Sequence, residues 1–577
     1  MARLKYTADF ETTTDINDCR VWASAYMEIG NIKNFKVSNN IDSFMEWCET
    51  VNSDVYFHNL RFDGEFIVNW LLKNGFSFSK KGEPNTFNAI ISSMNQWYMI
   101  DICYGRKGRK KIHTVLYDSL KKIPFKVSQI AKDFNLTILK GDIDYHAYRP
   151  VGHEITDDEM KYIINDVQIM AEALDIQFKQ GLLKMTTGSD SISDFKDTIT
   201  KKKFDKLYPS ISMELDTDLR FAYRGGFTWL NEKYAGKEIN YGLVFDVNSL
   251  YPSQMKTRML PFGLPIEYDG EYEYDENYPL YIQEVEFSFF LKDEHIPTIQ
   301  IKKDLRFKHT EYLKSSDTEL VRISVTNIDW ELIKEHYHVS DVNFIRGWKF
   351  RQKMGDFNLF IDKWTHVKVN NDGAIKLLAK LMLNSLYGKF ATNPNVTGKE
   401  PFLKDDGSLG LVVGAEEFKD PVYTPMGIFI TSWARFTTIS TAQKCYDRII
   451  YCDTDSIHLE GLEIPEAIED VIDDKRLGYW QHESTFKRAK YIRQKTYVQE
   501  LFGKKYVNDD GEEKIAMCGK SESDAIKFSV KCAGMSDRVK ENVTFDNFER
   551  GFSSGGKLMP KHVNNGVVLV DTVFTLN

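Results

Sequence analysis

The chain has 577 residues, a formal net charge of −9, and 42% hydrophobic residues with aromatics at 13%. At about 150 residues per domain this length predicts three to five domains, and the apolar content excludes a disordered chain. No stretch approaches the roughly 18 apolar residues of a membrane span, the start MARLKYTADF lacks a signal-peptide core, and seven cysteines without a C-x-x-C pair fit reduced thiols, so a soluble cytoplasmic protein with no membrane partner is expected.

From the N-terminus, LKYTADFET, RVWASAYME and SDVYFHN read as strands, Asp63 to Lys73 as a helix stopped by Asn74-Gly75, and 157–180 as a second helix. That alternation predicts an α/β domain over residues 1–180. Asp9 and Glu11 stand one residue apart at the end of the first strand and share a face. FHNLRFDGEF puts Asn59 and Asp63 four apart at a helix start, and YIINDV puts Tyr162 and Asp166 four apart on one helix side. Such carboxylates and a tyrosine on regular elements of one domain suit two-metal phosphodiester hydrolysis, with the tyrosine orienting water. Taken singly each is ordinary: an Asp-x-Glu pair at a surface, Asp63 as a helix cap. In KGDIDYH, Asp142 and Asp144 do not end an apolar run and read as loop acids, while Lys140 suits stabilisation of a pentacovalent phosphate.

TTGSDSISDF (186–195) reads as a linker. Residues 240–262 read as strand, turn and helix, and GLVFDVNSLYPSQM ends its apolar run in Asp246 before a turn whose N–H groups can hold a triphosphate beside a metal. The 266–350 segment is mixed and rich in Tyr and Asp. In GAIKLLAKLMLNSLYGKF (373–390) a buried stripe of Leu377, Leu378, Leu381, Met382 and Leu386 is predicted, with Lys376, Lys380, Asn384 and Tyr387 on the other face. A solvated face is the default for that stripe, but lysines for phosphates and an aromatic for a base use the same spacing. PFLKDDGSLGLVV (401–413) predicts a hairpin around Asp-Gly.

IIYCDTDSIHL (449–459) also reads as a hairpin, with DTDS as an ordinary turn. Extended geometry, however, sets Asp453 and Asp455 roughly 6–7 Å apart on one face. At a dielectric of about 20 they repel by about 2 kcal/mol, a repulsion that a divalent cation between them reverses. Asp246 supplies a third acid from a distant segment. The acidic total argues mildly against nucleic acid, yet GRKGRKK (105–111), KKK (201–203) and KRAKYIRQK (487–495) are strongly basic, so acids gathered at metal sites can lower the sum while basic grooves remain.

In this order, D-x-E, N-x3-D and Y-x3-D resemble the three motifs of DEDD-type proofreading 3′→5′ exonucleases, in the tyrosine-containing variant. DVNSLYP, KLMLNSLYGKF and YCDTDS look like motifs A, B and C of family B DNA polymerases, and KTY (495–497) looks like that family's further palm motif. With Tyr223-Arg-Gly-Gly226 and TPMGIFITSWAR (424–435), nearly the whole chain resembles the protein-primed family B polymerases of small tailed bacteriophages, the phi-29 type.

The resemblance implies an α/β and α+β multidomain fold: an RNase H-like 3′→5′ exonuclease domain (1–186), palm (187–257), a first terminal-protein-region insertion (258–355), fingers (356–394), a second, hairpin insertion (395–417), palm (418–527) and thumb (528–577). It implies that Asp246, the Val247 backbone, Asp455 and Asp453 hold two Mg²⁺ ions for nucleotidyl transfer, Mn²⁺ being able to substitute. Ser249, Leu250, Tyr251, Lys368, Lys380, Asn384, Tyr387 and Gly388 are implied to bind the incoming dNTP, with the Tyr251 ring excluding a ribose 2′-hydroxyl. Asp9, Glu11, Asp63 and Asp166 are implied exonuclease metal ligands, with Tyr162 and Lys140 assisting. His58, Asn59, Phe66, Ser119 and Leu120 are implied contacts to single-stranded DNA, and Tyr223, Gly225, Gly226, Arg435, Lys495 and Tyr497 to primer-template DNA. Implied partners are dNTPs, a terminal protein offering a hydroxyl as primer, and a phage single-stranded-DNA-binding protein, around a monomer working in the cytoplasm of a bacterial host.

The C-terminal GFSSGGKLMPKHVNNGVVLV is lighter in basic residues than a duplex-tracking thumb suggests, which bears on how strongly the chain holds DNA. Three other readings stand beside this one: a nuclease whose second half only grips DNA, a noncatalytic single-strand binder, and an RNA-copying or ribonucleotide-using polymerase.

Overall fold

Alternation along β1 (Lys5–Thr12) organises the first domain. Tyr6, Ala8 and Phe10 enter its apolar core, while Thr7, Asp9 and Glu11 face the opposite side. In the computed structural model, which describes residues 3–108, 110–300, 312–317, 319–502, 506–507, 513–514 and 527–577, this domain continues through β2 (Val21–Glu28), β3 (Asn31–Ser38), α1 (Asp42–Val51), β4 (Asp54–Phe57), α2 (Leu60–Lys73), β5 (Ser77–Phe78), β6 (Thr86–Ile91), β7 (Trp97–Lys107), β8 (Lys110–Asp118), α3 (Val127–Asp133) and α4 (Asp157–Lys179). One sheet results, in the order β3-β2-β1-β4-β8-β7-β6-β5. β1 runs antiparallel to β2 and parallel to β4. A capping box of Thr156 and Glu159 starts α4, and the Thr7 hydroxyl donates to the Val167 carbonyl at 2.8 Å, seating α4 on the polar face of β1. Of the basic run 105–111, residue 109 lies outside the described residues.

The segment read as a linker is helical: α5 (Thr187–Ile199) is capped by Thr186 and buries Asp190, Ser191, Phe195 and Ile199. Its polar composition reflects specific polar partners, among them Lys122 for Asp190 and Lys363 for Asp194. After α6 (Lys201–Leu207) and α7 (Met213–Arg220) come β9 (Thr228–Leu230), β10 (Glu238–Val247) and α8 (Leu250–Thr257). Next, β11 (Leu260–Asp269), β12 (Leu280–Leu291), β13 (Val321–Thr326), α9 (Asn327–His336) and β14 (Tyr337–Lys353) make a four-stranded sheet with one helix. Helices α10 (Asn358–Val369) and α11 (Gly373–Phe390) precede the expected hairpin, β15 (Lys399–Leu403) and β16 (Leu409–Val413). In α11 the core takes Leu378, Met382 and Leu386 as predicted, but Ala379 and Leu383 replace Leu377 and Leu381, which are half-buried.

The long helix α12 (Thr424–Lys444) leads to β17 (Ile449–Asp453), β18 (Ser456–Glu460), β19 (Trp480–Arg493) and β20 (Thr496–Leu501), followed by β21 (Tyr506–Val507), β22 (Glu513–Lys514), β23 (Lys527–Cys532), α13 (Asp537–Lys540), β24 (Ser553–Val563) and β25 (Gly566–Thr575). A seven-stranded sheet, β23-β20-β19-β10-β18-β17-β9, gathers strands from both sides of the intervening segments. Among the described residues no helix is long and apolar enough to cross a membrane.

The C-terminal hairpin β24–β25 returns to the first domain. Val567 and Val568 join its core, and a Cβ on Gly566 would stand 2.4 Å from the Phe66 ring. His562 Nδ1 lies 3.1 Å from the buried Glu65 carboxylate, and Lys73 donates to the side chains of Asn564, at 2.6 Å, and Asn565. The β15–β16 turn meets them: Asn69 Nδ2 donates to the Gly407 carbonyl at 2.9 Å, and Gly407 packs on Asn564. The tips of two hairpins thus converge on α2.

Candidate active sites

The first cleft, of about 380 Å³, opens where the polar face of β1 meets α2 and α4. One oxygen each of Asp9, Glu11 and Asp166 lies within 4.8 Å of the others, and Asp63 enters from the first turn of α2. Burial, then the charge of Asp166, pushes the Asp9 carboxyl up to about 7. Burial and the neighbouring Asp9 also hold Glu11 and Asp63 well above the usual carboxylate range. One oxygen each of Asp63 and Asp166 is buried without a hydrogen-bond partner. Four converging carboxylates with orphaned oxygens fit hard divalent cations, which take oxygen ligands and neutralise such a cluster.

Tyr162 lies one turn before Asp166 on α4, and its hydroxyl is 2.6 Å from that of Tyr145. Lys140 pairs with Asp166 and sits 5.3 Å from the centre of the Tyr162 ring. Asp142 and Asp144 are exposed in the loop, as expected. His58 and Asn59 line the same cleft, together with Phe62 and with Leu558, Val567 and Leu569 of the C-terminal hairpin. Asn59 adopts φ +75, held because the buried Asp118 carboxylate accepts from the N–H groups of Asn59 (3.0 Å), Leu60 (3.3 Å) and Leu120 (3.0 Å). Sequence reasoning passed over Asp118, Tyr145 and Phe62. Only Phe62 carried a local signal, an aromatic directly before Asp63.

The second cleft, of about 690 Å³, lies where β10 and the β17–β18 turn meet α8 and α11. Asp246 pairs in register with Ser456, one residue from Asp455, and the Val247 N–H donates to the Asp455 carbonyl at 2.7 Å. Burial, then Asp455 and Glu483, pushes the Asp246 carboxyl up to about 7. Asp455 is raised by burial and by the charges of Asp453 and Glu483. Glu483, on β19, is a third acid of the cleft wall that the sequence did not single out. Asp453 was expected to complete the acid set, but its carboxylate turns aside: it accepts from Thr228 and Tyr451 hydroxyls at 3.1 Å each and from Lys495 Nζ at 2.6 Å.

Ser249 and Leu250 turn the chain into α8, Ser249 at φ +58. Lys368 Nζ donates to the Ser249 hydroxyl at 3.2 Å, and Lys376, Lys380 and Asn384 project into the cleft from α11. Tyr251 stacks on Tyr387 with ring centres 3.9 Å apart. Gly388 is exposed with open space beside it. Thr454 and Lys495 also hold positive φ, at +61 and +56, so strained backbone gathers at these turns.

Several expected contacts are buried or half-buried in the protein alone. Phe66 is 2% exposed, covered by the C-terminal hairpin and outside the lining of the first cleft. Ser119 is fully buried, its hydroxyl donating to the Phe57 carbonyl at 2.9 Å and bonding His58. Leu120 is half-buried beside it. Arg435 is buried against Asp329 at 2.7 Å and donates to the carbonyls of Arg224 and Gly225 at 2.8 and 3.0 Å. It therefore shapes the Tyr223–Gly226 segment from within. Tyr223 is half-buried, Gly225 is exposed, and Gly226 packs on Thr454. Tyr497 is half-buried among Tyr451, His458 and Tyr491.

The sequence profile of DNA polymerase type B, organellar and viral, matches residues 45–473. The DNA polymerase of Bacillus phage M2 is 64% identical over 100% of both chains. Phi29 DNA polymerase complexed with primer-template DNA superimposes with a TM-score of 0.96 at 60% identity, covering 100% of both chains. The same enzyme with primer-template DNA and incoming nucleotide substrates gives 0.94 at 59% identity, again over both whole chains. Two acid-lined clefts on one α/β multidomain chain, with likeness over its full length, make it a member of the organellar and viral type B DNA polymerases.

Proposed function

We propose that this DNA polymerase extends primers at the second cleft and trims 3′ ends at the first, starting each genome end on the hydroxyl of a terminal protein and displacing the opposite strand as it advances. The reading divides the chain as the sequence suggested, with the first domain as exonuclease, the seven-stranded sheet as palm, α10–α11 as fingers and β24–β25 within the thumb. The single observation that carries it is the pair of separate acid sets, largely buried in the first cleft and half-buried in the second, each with a carboxyl pushed far above its usual range. When bound there, two Mg²⁺ or Mn²⁺ ions per cleft supply charge neutralisation and alignment for in-line displacement at phosphorus.

The protein's own groups do the rest. Asp246, Asp455 and Glu483 in one cleft, and Asp9, Glu11, Asp63 and Asp166 in the other, hold the cations. Lys368, Lys376 and Lys380 receive the triphosphate, whose charge offsets their mutual repulsion. An incoming base pair takes the space beside Tyr387, and the Tyr251 ring lies under the sugar, where a 2′-hydroxyl would collide. Tyr162, braced by Tyr145, orients the attacking water, and Lys140 offsets charge growing on phosphate. Lys495, drawn to Asp453 here, is placed to hold the primer end. The likeness to the phage enzymes supports a monomer working in the cytoplasm of a bacterial host, with a phage single-stranded-DNA-binding protein as a further partner.

Primer extension and single-strand digestion are compared for the parent, Asp246→Ala and Asp9→Ala, with and without chelator. Asp246→Ala should lose extension and keep digestion, Asp9→Ala the reverse, and chelator should abolish both. Extension surviving in Asp246→Ala overturns the assignment of the second cleft.

A further inference from the structure

Helix α5 is gripped from two sides by consecutive residues. Toward the first domain, Lys122 Nζ donates to the Asp190 carboxylate at 2.7 Å and to the carbonyls of Leu182 (3.0 Å) and Lys184 (2.7 Å). Both charged side chains are almost wholly buried, at 1% and 4% exposure. The Thr187 hydroxyl adds a bond to the Lys122 carbonyl at 2.8 Å. The Lys122 N–H donates to the Ser119 carbonyl at 2.9 Å, and Ser119 holds His58 at the rim of the first cleft.

Toward the second cleft, the Ser191 hydroxyl, which stands 3.0 Å from the Thr187 carbonyl of its own helix, is also 3.0 Å from the Met382 carbonyl and shares its one hydrogen between them. That carbonyl lies on α11 between Lys380 and Asn384, both of which project into the nucleotide cleft. Asp194, one turn on, accepts from Lys363 Nζ (2.6 Å) and Trp364 Nε1 (2.8 Å) of α10. Phe195 stacks on Phe357 with ring centres 4.6 Å apart.

Successive side chains on a helix point about 100° apart, so Asp190 and Ser191 reach two different neighbours from one rigid rod. A buried ion pair tolerates little displacement, because either charge left alone is strongly penalised. Burial depresses the Lys122 ammonium and raises the Asp190 carboxyl, which makes each dependent on the other.

We propose that α5 is a strut tying the nucleotide-cleft helix α11 to the single-strand rim of the trimming cleft, with Lys122, Asp190 and Ser191 as its positioning residues. Occupancy of the nucleotide cleft thereby biases whether a primer end is held for extension or released for trimming. None of the three touches reacting atoms; they act through Ser119–His58 on one side and the Lys380–Asn384 turn on the other. The inference rests on the two-cleft function proposed above.

The test uses the full chain with two variants: Lys122→Met/Asp190→Asn, which removes both charges together, and the milder Ser191→Ala. Four quantities are read: digestion of a single-stranded oligonucleotide, extension at saturating dNTP, thermal midpoint, and the dNTP concentration at which net degradation of a primed duplex gives way to net extension. Both variants should keep the first two within about threefold of the parent. Both should raise the crossover concentration by about fivefold or more, the scale of a working coupling. Combining all three substitutions should raise it no further than either variant alone, since one strut is cut once. An unchanged crossover in either variant overturns the proposal, as does a shift that merely tracks equal losses of digestion, extension and thermal stability. Absence of extension or digestion in the parent would instead overturn the two-cleft assignment itself.

Discussion

Replacing Gly226 by alanine tests how tightly the second cleft is built. A Cβ there would stand 2.6 Å from Thr454 Oγ1 and Cγ2 and 2.9 Å from its Cβ, whereas carbon contacts sit at about 3.5–4.0 Å. The turn must therefore retreat by about 1 Å, and it has little slack. The Thr454 N–H donates to the Phe227 carbonyl at 2.6 Å, and its own carbonyl accepts from the Thr438 hydroxyl at 2.6 Å. The displacement passes to Asp455, the next residue. Misplacing a catalytic group by about 1 Å costs on the order of 10²-fold in rate, or about 2.7 kcal/mol. Single-turnover incorporation at saturating dNTP should fall by that factor, while single-strand digestion stays within about twofold, because the first cleft is a separate construction. Adding Thr454→Gly removes the obstructing atoms and suits φ +61, so the double variant should recover most of the lost rate. Parental incorporation by Gly226→Ala alone would refute the packing argument, and so would an equal loss of digestion.

Stability of the metal-free protein should fall as pH rises. Asp9 and Asp246 keep their protons to about 7 when folded, against roughly 3.9 in an unfolded chain. The folded state thus binds more protons between those values, and each raised carboxyl destabilises it progressively through that window. Thermal midpoints in chelator should drop from pH 5 to 8, and Mg²⁺ should reverse the trend; a midpoint rising with pH in chelator would contradict this. Arg435→Met should cost about 3–5 kcal/mol by stranding the buried Asp329 charge, with no change in the slope of DNA affinity against salt, because a buried guanidinium displaces no counterions. A shallower slope would restore Arg435 as a phosphate contact. His562→Gln should weaken retention on a primed circle by about two- to fivefold at pH 6 and have no effect at pH 9. Glu65 raises the His562 pKa, so the pair's contribution is full below the unfolded value near 6.5 and lost as pH rises through the folded one. The imidazole also faces the cations Lys404 and Arg61. Product lengths measured with a DNA trap at both pH values decide the point, and equal loss at both would sink it.

Most of the acids were readable in the sequence because each ends an apolar strand or starts a helix, Asp166 through its helical spacing from Tyr162, and period-two alternation dictates the strand face: Asp9 and Glu11 opposite Tyr6 and Phe10. Hairpin turns announced themselves by Asp-Gly and Asp-Thr-Asp. What stayed hidden depends on partners distant in sequence. Helix α5 looked like linker because its buried face is polar near the start, and Asp190 is explained by Lys122, distant in sequence, together with the Lys184 N–H. Arg435 looked like a DNA contact until Asp329 was found beside it, and Glu483 became a cleft acid only through β19 pairing with β10. Asp453 shows the limit of local geometry: extended spacing put it on one face with Asp455, but Thr454 turns the chain between them at φ +61, and Lys495, Tyr451 and Thr228 decide where its oxygens point.

Where α2 meets the two hairpin tips, the protein fastens to itself through a handful of polar contacts and one glycine pressed on a ring. A polymer threaded through a fastened loop escapes only off an end or when the clasp parts. Were DNA held inside a loop so closed, its residence on a circle would count clasp openings rather than the strength of attraction to phosphate. The C-terminal segment, light in basic residues, would then matter less to that hold than the clasp does.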